Sequence, residues 1–136
     1  MTKKVASGMT AGTHGSTFGG NPLAMAVGNA ILDGLEETKF IEKFQKNLIT
    51  FESLLKKINY RFSDKISEIR GMGFLRGLKL NENLKAISLV NLLRDEKILT
   101  VPASDNVVRL LPPLNIKKVE LKILFEKLNK CLKLLK

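Results

Sequence analysis

The 136-residue sequence holds one cysteine, one histidine, one tyrosine and no tryptophan, and these scarcities exclude several kinds of site. A single thiol, Cys131, cannot close a disulfide within the chain, which favours a reducing, cytoplasmic setting. Cys131 follows the helical apolar spacing of its neighbours, so we expect a buried structural thiol rather than a nucleophile. His14 has no histidine partner for a metal cluster or a catalytic triad, and we expect it to shape its loop.

Long apolar runs are also missing. No stretch of eighteen or more apolar residues occurs, so the sequence predicts no transmembrane helix and no membrane partner. Lys3 and Lys4 near the start are not followed by the apolar segment that a secretory signal needs. With 44% hydrophobic residues, the chain is suited to a compact domain with its own core.

The formal net charge of +10 raises the alternative of a nucleic-acid binder. Such surfaces usually combine clustered Lys and Arg with stacking aromatics or a known module, and this chain has few aromatics suited to stacking. The pattern favours solvated helix faces, because many lysines fall on the polar sides of predicted helices. These are Lys56, Lys57, Lys117, Lys118, Lys122, Lys127, Lys130 and Lys133. We therefore expect no nucleic-acid partner, although positive charge suits the steering of an anionic cofactor or a dicarboxylic substrate.

Hydrophobic spacing predicts an α+β domain in which a short sheet is covered by helices on one face. Before it come an irregular start over residues 1–9, a glycine-rich loop over 10–21, and a helix from Pro22 to about Leu35, with a break marked by Gly34 and the acidic pair Glu36-Glu37. A second helix carries an aromatic stripe typical of a core: Phe40, Phe44, Leu48, Phe51 and Leu55. Two strands around residues 71–73, a helix over 84–96, strands over 98–102 and 106–111, and a helix over 117–135 complete the chain.

The glycine-rich loop is the strongest candidate for a functional site. Glycines let backbone N–H groups approach a phosphate, Ser16 and Thr17 add hydroxyl donors, and a helix N-terminus follows at Asn21-Pro22. The loop lacks the Gly-Lys-Ser/Thr ending of a Walker A motif, and no strand precedes it as in a dinucleotide fingerprint. From composition alone, an anion site and a flexible connector are about equally supported.

The order of residues in this loop resembles a known motif. Gly12-Thr13-His14-Gly15-Ser16-Thr17-Phe18-Gly19-Gly20-Asn21-Pro22 is similar, nearly letter for letter, to a segment of the class III (ornithine/acetylornithine-type) aminotransferases of fold type I. In that family the segment crosses a homodimer interface toward pyridoxal 5'-phosphate held mainly by the other subunit. The resemblance implies that Thr17 contacts the cofactor phosphate and that Ser16 lies beside the amino-acid substrate.

The resemblance continues along the chain. The segment from Glu68 to Leu78, Glu-Ile-Arg-Gly-Met-Gly-Phe-Leu-Arg-Gly-Leu, is similar to the family's Arg-Gly-x-Gly-Leu-x-x-Gly pattern, with Phe74 in place of the usual leucine. Residues 107–114, Val-Val-Arg-Leu-Leu-Pro-Pro-Leu, resemble the strand that carries a substrate-carboxylate arginine, which implies that role for Arg109. Arg70 and Arg76 have no such match, and we expect them to be sheet-surface or ion-pair residues.

Arg109 is unusual without any family comparison. It interrupts an apolar run, where a long cation has little reason to lie unless its fork meets a carboxylate. The alternative is an arginine whose head reaches water from an edge strand.

The sequence offers no catalytic residue. In the family the Schiff-base lysine and the carboxylate that pairs with the pyridine nitrogen lie upstream of this loop, and Lys3 and Lys4 are not in the lysine's context. We therefore expect residues 1–37 to be the interface loop and helix from the end of the large domain, and residues 38–136 to be the small C-terminal α+β domain. We expect the chain to be inactive alone. The alternative from another class is a non-catalytic module for dimerisation or binding.

Overall fold

The computed structural model describes residues 2–13 and 15–136. His14, for which the sequence predicts a loop-shaping role, lies outside the described residues. The chain divides into two compact units, Met1–Glu37 and Thr38–Lys136, and each is described by itself.

The first unit holds two helices joined by the glycine-rich loop. Helix α1 is a single turn, Lys3–Ala6, whose first turn is capped by the side chain of Thr2, so the prediction of an irregular start was wrong there. Helix α2 spans Pro22–Glu36, and the predicted cap is confirmed because Asn21 Oδ1 accepts from the first-turn amides. The predicted break is confirmed at the acidic pair, because α2 ends at Glu36 and Glu37 is extended. Gly34 itself lies inside α2, where a glycine costs only about 1 kcal/mol.

The second unit has the predicted order of helices and strands. Its elements are α3 Thr38–Arg61, β1 Ile66–Met72, β2 Leu75–Leu80, α4 Ala86–Asp95, β3 Val101–Ala103, β4 Val107–Leu110 and α5 Lys118–Leu134. Strand β3 begins later than predicted. Residues 97–100 form the turn out of α4 instead. Lys97 has a φ of 63°, and the amide of Ile98 donates to the carbonyl of Leu93.

The four strands form one antiparallel sheet in the order β1-β2-β4-β3. Side chains alternate between the two faces of a strand. One face carries buried leucines and valines that join the helices in a single core, including Leu78, Leu80, Val108 and Leu110. The opposite face carries the exposed side chain of Arg109. The structure thus confirms an α+β fold with a small sheet covered by helices.

The aromatic stripe of α3 lies in the core, as predicted. Phe51 is fully buried and makes edge-to-face contacts with Phe74 at 5.3 Å and Phe125 at 5.7 Å between ring centroids. Phe44 contacts Phe74 in the same geometry at 5.2 Å. The phenylalanine that departs from the family pattern at position 74 is therefore a member of an aromatic cluster. Such pairs contribute about 0.5–1.5 kcal/mol beyond their buried area.

The predictions of a buried Cys131 and of solvated lysine-rich helix faces are also confirmed. Cys131 is 1% exposed, and burial raises the pKa of its thiol, so it is a structural core residue. Seven of the eight lysines placed on polar helix faces are exposed, and Lys127 is half-buried.

The hairpin between β1 and β2 requires glycine at one position. Gly71 has a φ of +108°, and a Cβ built there would lie 2.2 Å from the carbonyl oxygen of Leu75. A side chain at this position would collide with backbone, which cannot move aside without breaking the strand pair. The glycine that follows arginine in the family pattern is thus explained at Gly71, because the backbone of Leu75 lies too close for a side chain.

Asn106 ties the β3–β4 turn to the start of α4. Its Oδ1 accepts from the amide of Ala86 at 2.8 Å, and its Nδ2 donates to the carbonyls of Leu80, Asn81 and Leu84 at 3.3, 3.2 and 2.9 Å. The backbone of Asn106 has a φ of 55°. One side chain therefore satisfies four backbone groups and caps a helix that its own N-cap residue leaves uncapped.

Replacing Asn106 with glycine is expected to lower the free energy of unfolding by about 2 kcal/mol. Glycine adopts the positive φ without strain, so the loss reports the hydrogen bonds alone. Chemical denaturation of the second unit measures it, with Ser104→Gly, an exposed change in the same turn, as the control. Equal destabilisation by the two variants would show that the turn, not the Asn106 side chain, matters.

Candidate functional site

The glycine-rich loop carries the exposed hydroxyl side chains of Ser16 and Thr17. Backbone hydrogen bonds from Gly19 N to Ser16 O and from Asn21 N to Phe18 O, both 3.2 Å, fold it into two consecutive turns. Ser16 and Thr17 are exposed, and within the described part of the chain neither hydroxyl has a hydrogen-bond partner. A hydroxyl is both donor and acceptor, so both are available to a phosphate or a polar substrate.

The backbone of this loop uses the conformations that glycine allows. Gly12 has a φ of +85° and Gly20 a φ of +73°, and a Cβ would meet nothing within 4 Å at either residue. The requirement is therefore conformational rather than steric. The loop backbone therefore adopts conformations that are open mainly to glycine at these two positions.

The N-terminus of α2 contributes less to an anion site than its position indicates. Asn21 Oδ1 accepts from the amides of Leu23 and Ala24, at 3.0 and 3.2 Å. These two donors are therefore occupied by the helix's own cap. A phosphate at this loop would rely on the Thr17 hydroxyl and on loop amides.

Arg109 projects from the middle of the sheet. Strand β4 is paired on both sides, with Arg109 opposite Gly77 of β2 and Val101 of β3. The alternative placed Arg109 on an edge strand, and this is wrong because β4 is an interior strand of the sheet. The side chain is nevertheless exposed, and within the described residues its guanidinium forms no ion pair within 4 Å. The Arg109 guanidinium is therefore accessible to an anion on this face of the sheet.

The two neighbouring arginines are occupied, which confirms the expectation for them. Arg70 pairs with Asp105 at 3.1 Å and Arg76 pairs with Glu52. The hydrogen bond from Lys79 lowers the pKa of Asp105, and the Arg70 guanidinium lowers it further. Asp105 is thus an anion already shared by two cations, which leaves it little tendency to neutralise Arg109.

Sequence reasoning missed Gly77 and the Asp105–Asn106 turn. A Cβ at Gly77 would lie 2.8 Å from Val107 Cγ1 and 3.6 Å from Arg70 Cγ. The absence of a side chain at Gly77 therefore leaves room for those of Val107 and Arg70. Asp105 and Asn106 both have positive φ. The signal available was the Asp-Asn pair between two apolar runs, since these residues tolerate left-handed turn conformations.

The predicted site residues fall into both units. Ser16 and Thr17 lie together on the loop of the first unit, and Arg109 lies on the sheet of the second. Within residues 2–13 and 15–136, no group of three or more His, Cys, Asp or Glu side chains is arranged to hold a metal ion. No helix in that part of the chain is long and apolar enough to span a membrane.

Comparison with known proteins identifies the family. The model of the family "Aminotransferase class-III" matches residues 1–132, and the chain belongs to this family of pyridoxal-phosphate-dependent enzymes. The match is to the C-terminal portion of its members.

Two curated relatives that match most of this chain share one name. The chain is 48% identical over 120 residues to acetylornithine aminotransferase of Mesorhizobium japonicum, covering 88% of this chain and 30% of that protein. It is 51% identical over 113 residues to the enzyme of the same name from Brucella melitensis, covering 83% and 28%. The chain thus spans about a third or less of the length of these relatives.

Solved structures show the same fold. The acetylornithine aminotransferase of Elizabethkingia anophelis matches with a TM-score of 0.78 and 33% identity, over 95% of this chain and 33% of that one. The ornithine aminotransferase of Toxoplasma gondii matches with a TM-score of 0.79 and 32% identity, over 96% and 31%. The helices and sheet described above are therefore those of the C-terminal region of fold type I aminotransferases.

Proposed function

We propose that this chain is the C-terminal part of an enzyme that transfers the amino group of N2-acetyl-L-ornithine to 2-oxoglutarate. The products are N-acetylglutamate 5-semialdehyde and glutamate, as used in arginine biosynthesis. The observation that carries the proposal is identity near 50% to enzymes named acetylornithine aminotransferase. Ornithine, succinylornithine and 4-aminobutyrate are the alternative amine donors, because family members share the loop and the residues that discriminate between donors belong to the remaining part of the enzyme.

The cofactor of this reaction is pyridoxal 5'-phosphate, which supplies an electron sink for the carbon that loses its proton. The first unit fits its phosphate, since Thr17 presents an unpaired hydroxyl on an open, glycine-rich turn. In the proposed homodimer Thr17 donates to the phosphate held by the other subunit, and Ser16 lines the substrate site. The Schiff-base lysine belongs to the large domain.

Arg109 binds a substrate carboxylate in this proposal. A guanidinium offers two parallel N–H donors in the geometry of a carboxylate, so it fixes orientation as well as charge. The paired strands on either side of β4 hold the Arg109 backbone rigidly. Both substrates carry carboxylates, and an unpaired fork on a rigid strand is suited to orienting them for the reaction.

The two units correspond to the domain assignment that we propose. Residues 1–37 form the end of the large domain, with the loop and helix that reach the neighbouring active site, and residues 38–136 form the small domain. The separate compactness of Thr38–Lys136, with its own sheet and core, supports this division.

The 136-residue chain alone is expected to show no internal-aldimine absorbance with pyridoxal phosphate, to favour no single lysine in adduct formation, and to show no transamination. The Schiff-base lysine belongs to the large domain in this proposal, and Lys3 and Lys4 do not match its sequence context. Mass spectrometry after borohydride reduction measures the adduct, with an intact class III enzyme as the positive control. An adduct on Lys3 or Lys4 that supports turnover would overturn the proposal.

The role of Thr17 can be measured in a chimera. The chimera joins this chain to the N-terminal portion of the Mesorhizobium japonicum enzyme, replacing the segment that matches. Thr17→Ala is expected to weaken cofactor binding about 10- to 100-fold, as for loss of one hydrogen bond to a charged group. Thr17→Ser keeps the hydroxyl and is expected to bind within about threefold of the unchanged chimera, for the same reason. Absorbance measurements of cofactor release give the affinity of each variant. Equal affinities for the Ala and Ser variants would exclude a contact between the Thr17 hydroxyl and the phosphate.

A non-catalytic dimerisation module is the second candidate function. It is favoured by α2, in which no residue is buried within the described structure and apolar side chains such as Leu23, Ile31 and Leu32 are more than half exposed. Light scattering of the isolated chain tests it. A stable dimer that binds no cofactor when the N-terminal portion is supplied would favour the module over the enzyme.

A further inference from the structure

A basic groove lies in the second unit between the first half of α3 and the start of α5. It encloses a volume of about 560 Å³ and is lined by four lysines, Lys39, Lys43, Lys46 and Lys118, with Glu42 as its one acidic residue. We call it the lysine groove. It includes neither the Ser16–Thr17 loop nor Arg109, so the proposed transamination makes no use of it.

The spacing of the lysines explains why they meet. Lys39, Lys43 and Lys46 are separated by four and three residues, which places them on one face of a helix. A buried contact fixes the base of the groove, because Asn47 Nδ2 donates to the carbonyl of Ile116 at 2.6 Å. That bond holds α3 against the segment that leads into α5. The groove is thus part of the packed unit.

The charge of the lysine groove is uncompensated. Within the described part of the chain, none of its four ammonium groups forms an ion pair within 4 Å. Like charges that face one another repel, and a bound anion removes that repulsion as well as adding attraction. At the start of α5 the backbone amide of Lys117 donates to the Glu120 carboxylate at 2.7 Å, so this helix end already has an acidic cap and adds little attraction for an anion.

The lining also limits the kind of anion. Among the residues that the structure describes, no aromatic ring lines the groove, and Ile49 is its one large apolar side chain. A nucleic acid gains much of its affinity in such sites from bases stacked on aromatic rings. Several lysines without a stacking surface are suited to a compact ligand of high charge density, since Lys binds phosphate as a point charge.

We propose that the lysine groove binds a linear oligophosphate, with Lys39, Lys43, Lys46 and Lys118 contacting successive phosphates. The ligand is held by charge and binding weakens as salt increases, because exposed charges are screened beyond about 10 Å at 0.1 M ionic strength. The groove is a binding site with no chemistry of its own.

Calorimetric titration of the 136-residue chain with sodium tripolyphosphate tests the proposal. The double variant Lys43→Glu/Lys46→Glu is expected to raise Kd at least about tenfold, since two attractions become repulsions. The matched control, Lys56→Glu/Lys57→Glu, makes the same charge change on exposed residues further along α3 and is expected to change Kd less than about threefold. The neutral pair Lys43→Gln/Lys46→Gln should fall between them. Circular dichroism confirms that each variant is folded.

Each result bears on the proposal. Equal loss in the groove and control variants would show attraction to net charge alone and would overturn it. Absence of saturable binding, checked by amide chemical shifts as well as heat, would overturn it too. Tighter binding of a short oligothymidine, lost in the groove variants, would replace the oligophosphate with single-stranded nucleic acid. ATP binding no tighter than tripolyphosphate supports recognition of the phosphates alone.

Discussion

Replacing Arg109 with alanine in the chimeric enzyme is expected to lower kcat/KM for the carboxylate substrate about 10²- to 10³-fold, a loss of about 3–4 kcal/mol of transition-state binding. The cause is the loss of a two-pronged, charged hydrogen bond at a position that has no substitute. Within the described residues, Arg70 and Arg76 are already paired with Asp105 and Glu52. Steady-state kinetics with 2-oxoglutarate as acceptor measures the effect.

Two variants separate the role of Arg109 in binding from its role in the fold. Arg109→Lys keeps the charge and loses the fork, so it should recover only part of the activity. Arg94→Ala removes an exposed arginine from the last turn of α4 and should change kcat/KM less than about twofold, since it removes surface charge alone. Unchanged kinetics for Arg109→Ala in a folded chimera would remove this residue from the site.

Local signals predicted the helices well. The Asn21-Pro22 pair correctly marks the start of α2, because capping and proline geometry depend only on neighbouring residues. The helical spacing of Phe44, Phe51 and Leu55, which are seven and four residues apart, likewise identified the inner face of α3. Both signals are complete within one element, so no knowledge of the remaining chain is needed.

Long-range pairing was beyond the sequence. The residues near Arg109 do not indicate that β4 lies between β2 and β3, because Arg109 pairs with Gly77 of β2, which is 32 positions earlier in the chain. The late start of β3 has the same kind of cause, since the left-handed turn at Lys97 depends on how α4 ends. Asn106 caps a helix that begins twenty residues before it.

The roles of the candidate site residues are harder to predict from this sequence than the fold is. Thr17 and Ser16 are exposed on a loop whose proposed ligand is bound by another subunit, so their roles depend on a surface outside this chain. Arg109 shows the same property in the second unit, where an uncompensated fork has no partner within the described residues. Under the proposed function, these unpaired donors on rigid or glycine-shaped backbone are what this chain contributes to a shared site.

Phe51→Ala is expected to produce the largest loss of stability, about 4 kcal/mol, because it removes a ring that is fully buried and leaves a cavity. The ring also contacts Phe74 and Phe125, so the cavity opens at the centre of the aromatic cluster between α3, the β1–β2 hairpin and α5. Domains of this size are stable by about 5–15 kcal/mol, so much of the total would be lost. Urea denaturation followed by circular dichroism measures it.

Tyr60→Ala provides the control for that loss, since Tyr60 lies on the same helix with 89% of its surface exposed and should cost less than about 0.5 kcal/mol. If Phe51→Ala does not fold, Phe51→Leu keeps most of the volume and should cost about 1–2 kcal/mol, which keeps the expectation measurable. A loss below about 1 kcal/mol for Phe51→Ala would mean that the second unit collapses around the missing ring. The aromatic cluster would then not be what holds α3 against the sheet that carries Arg109.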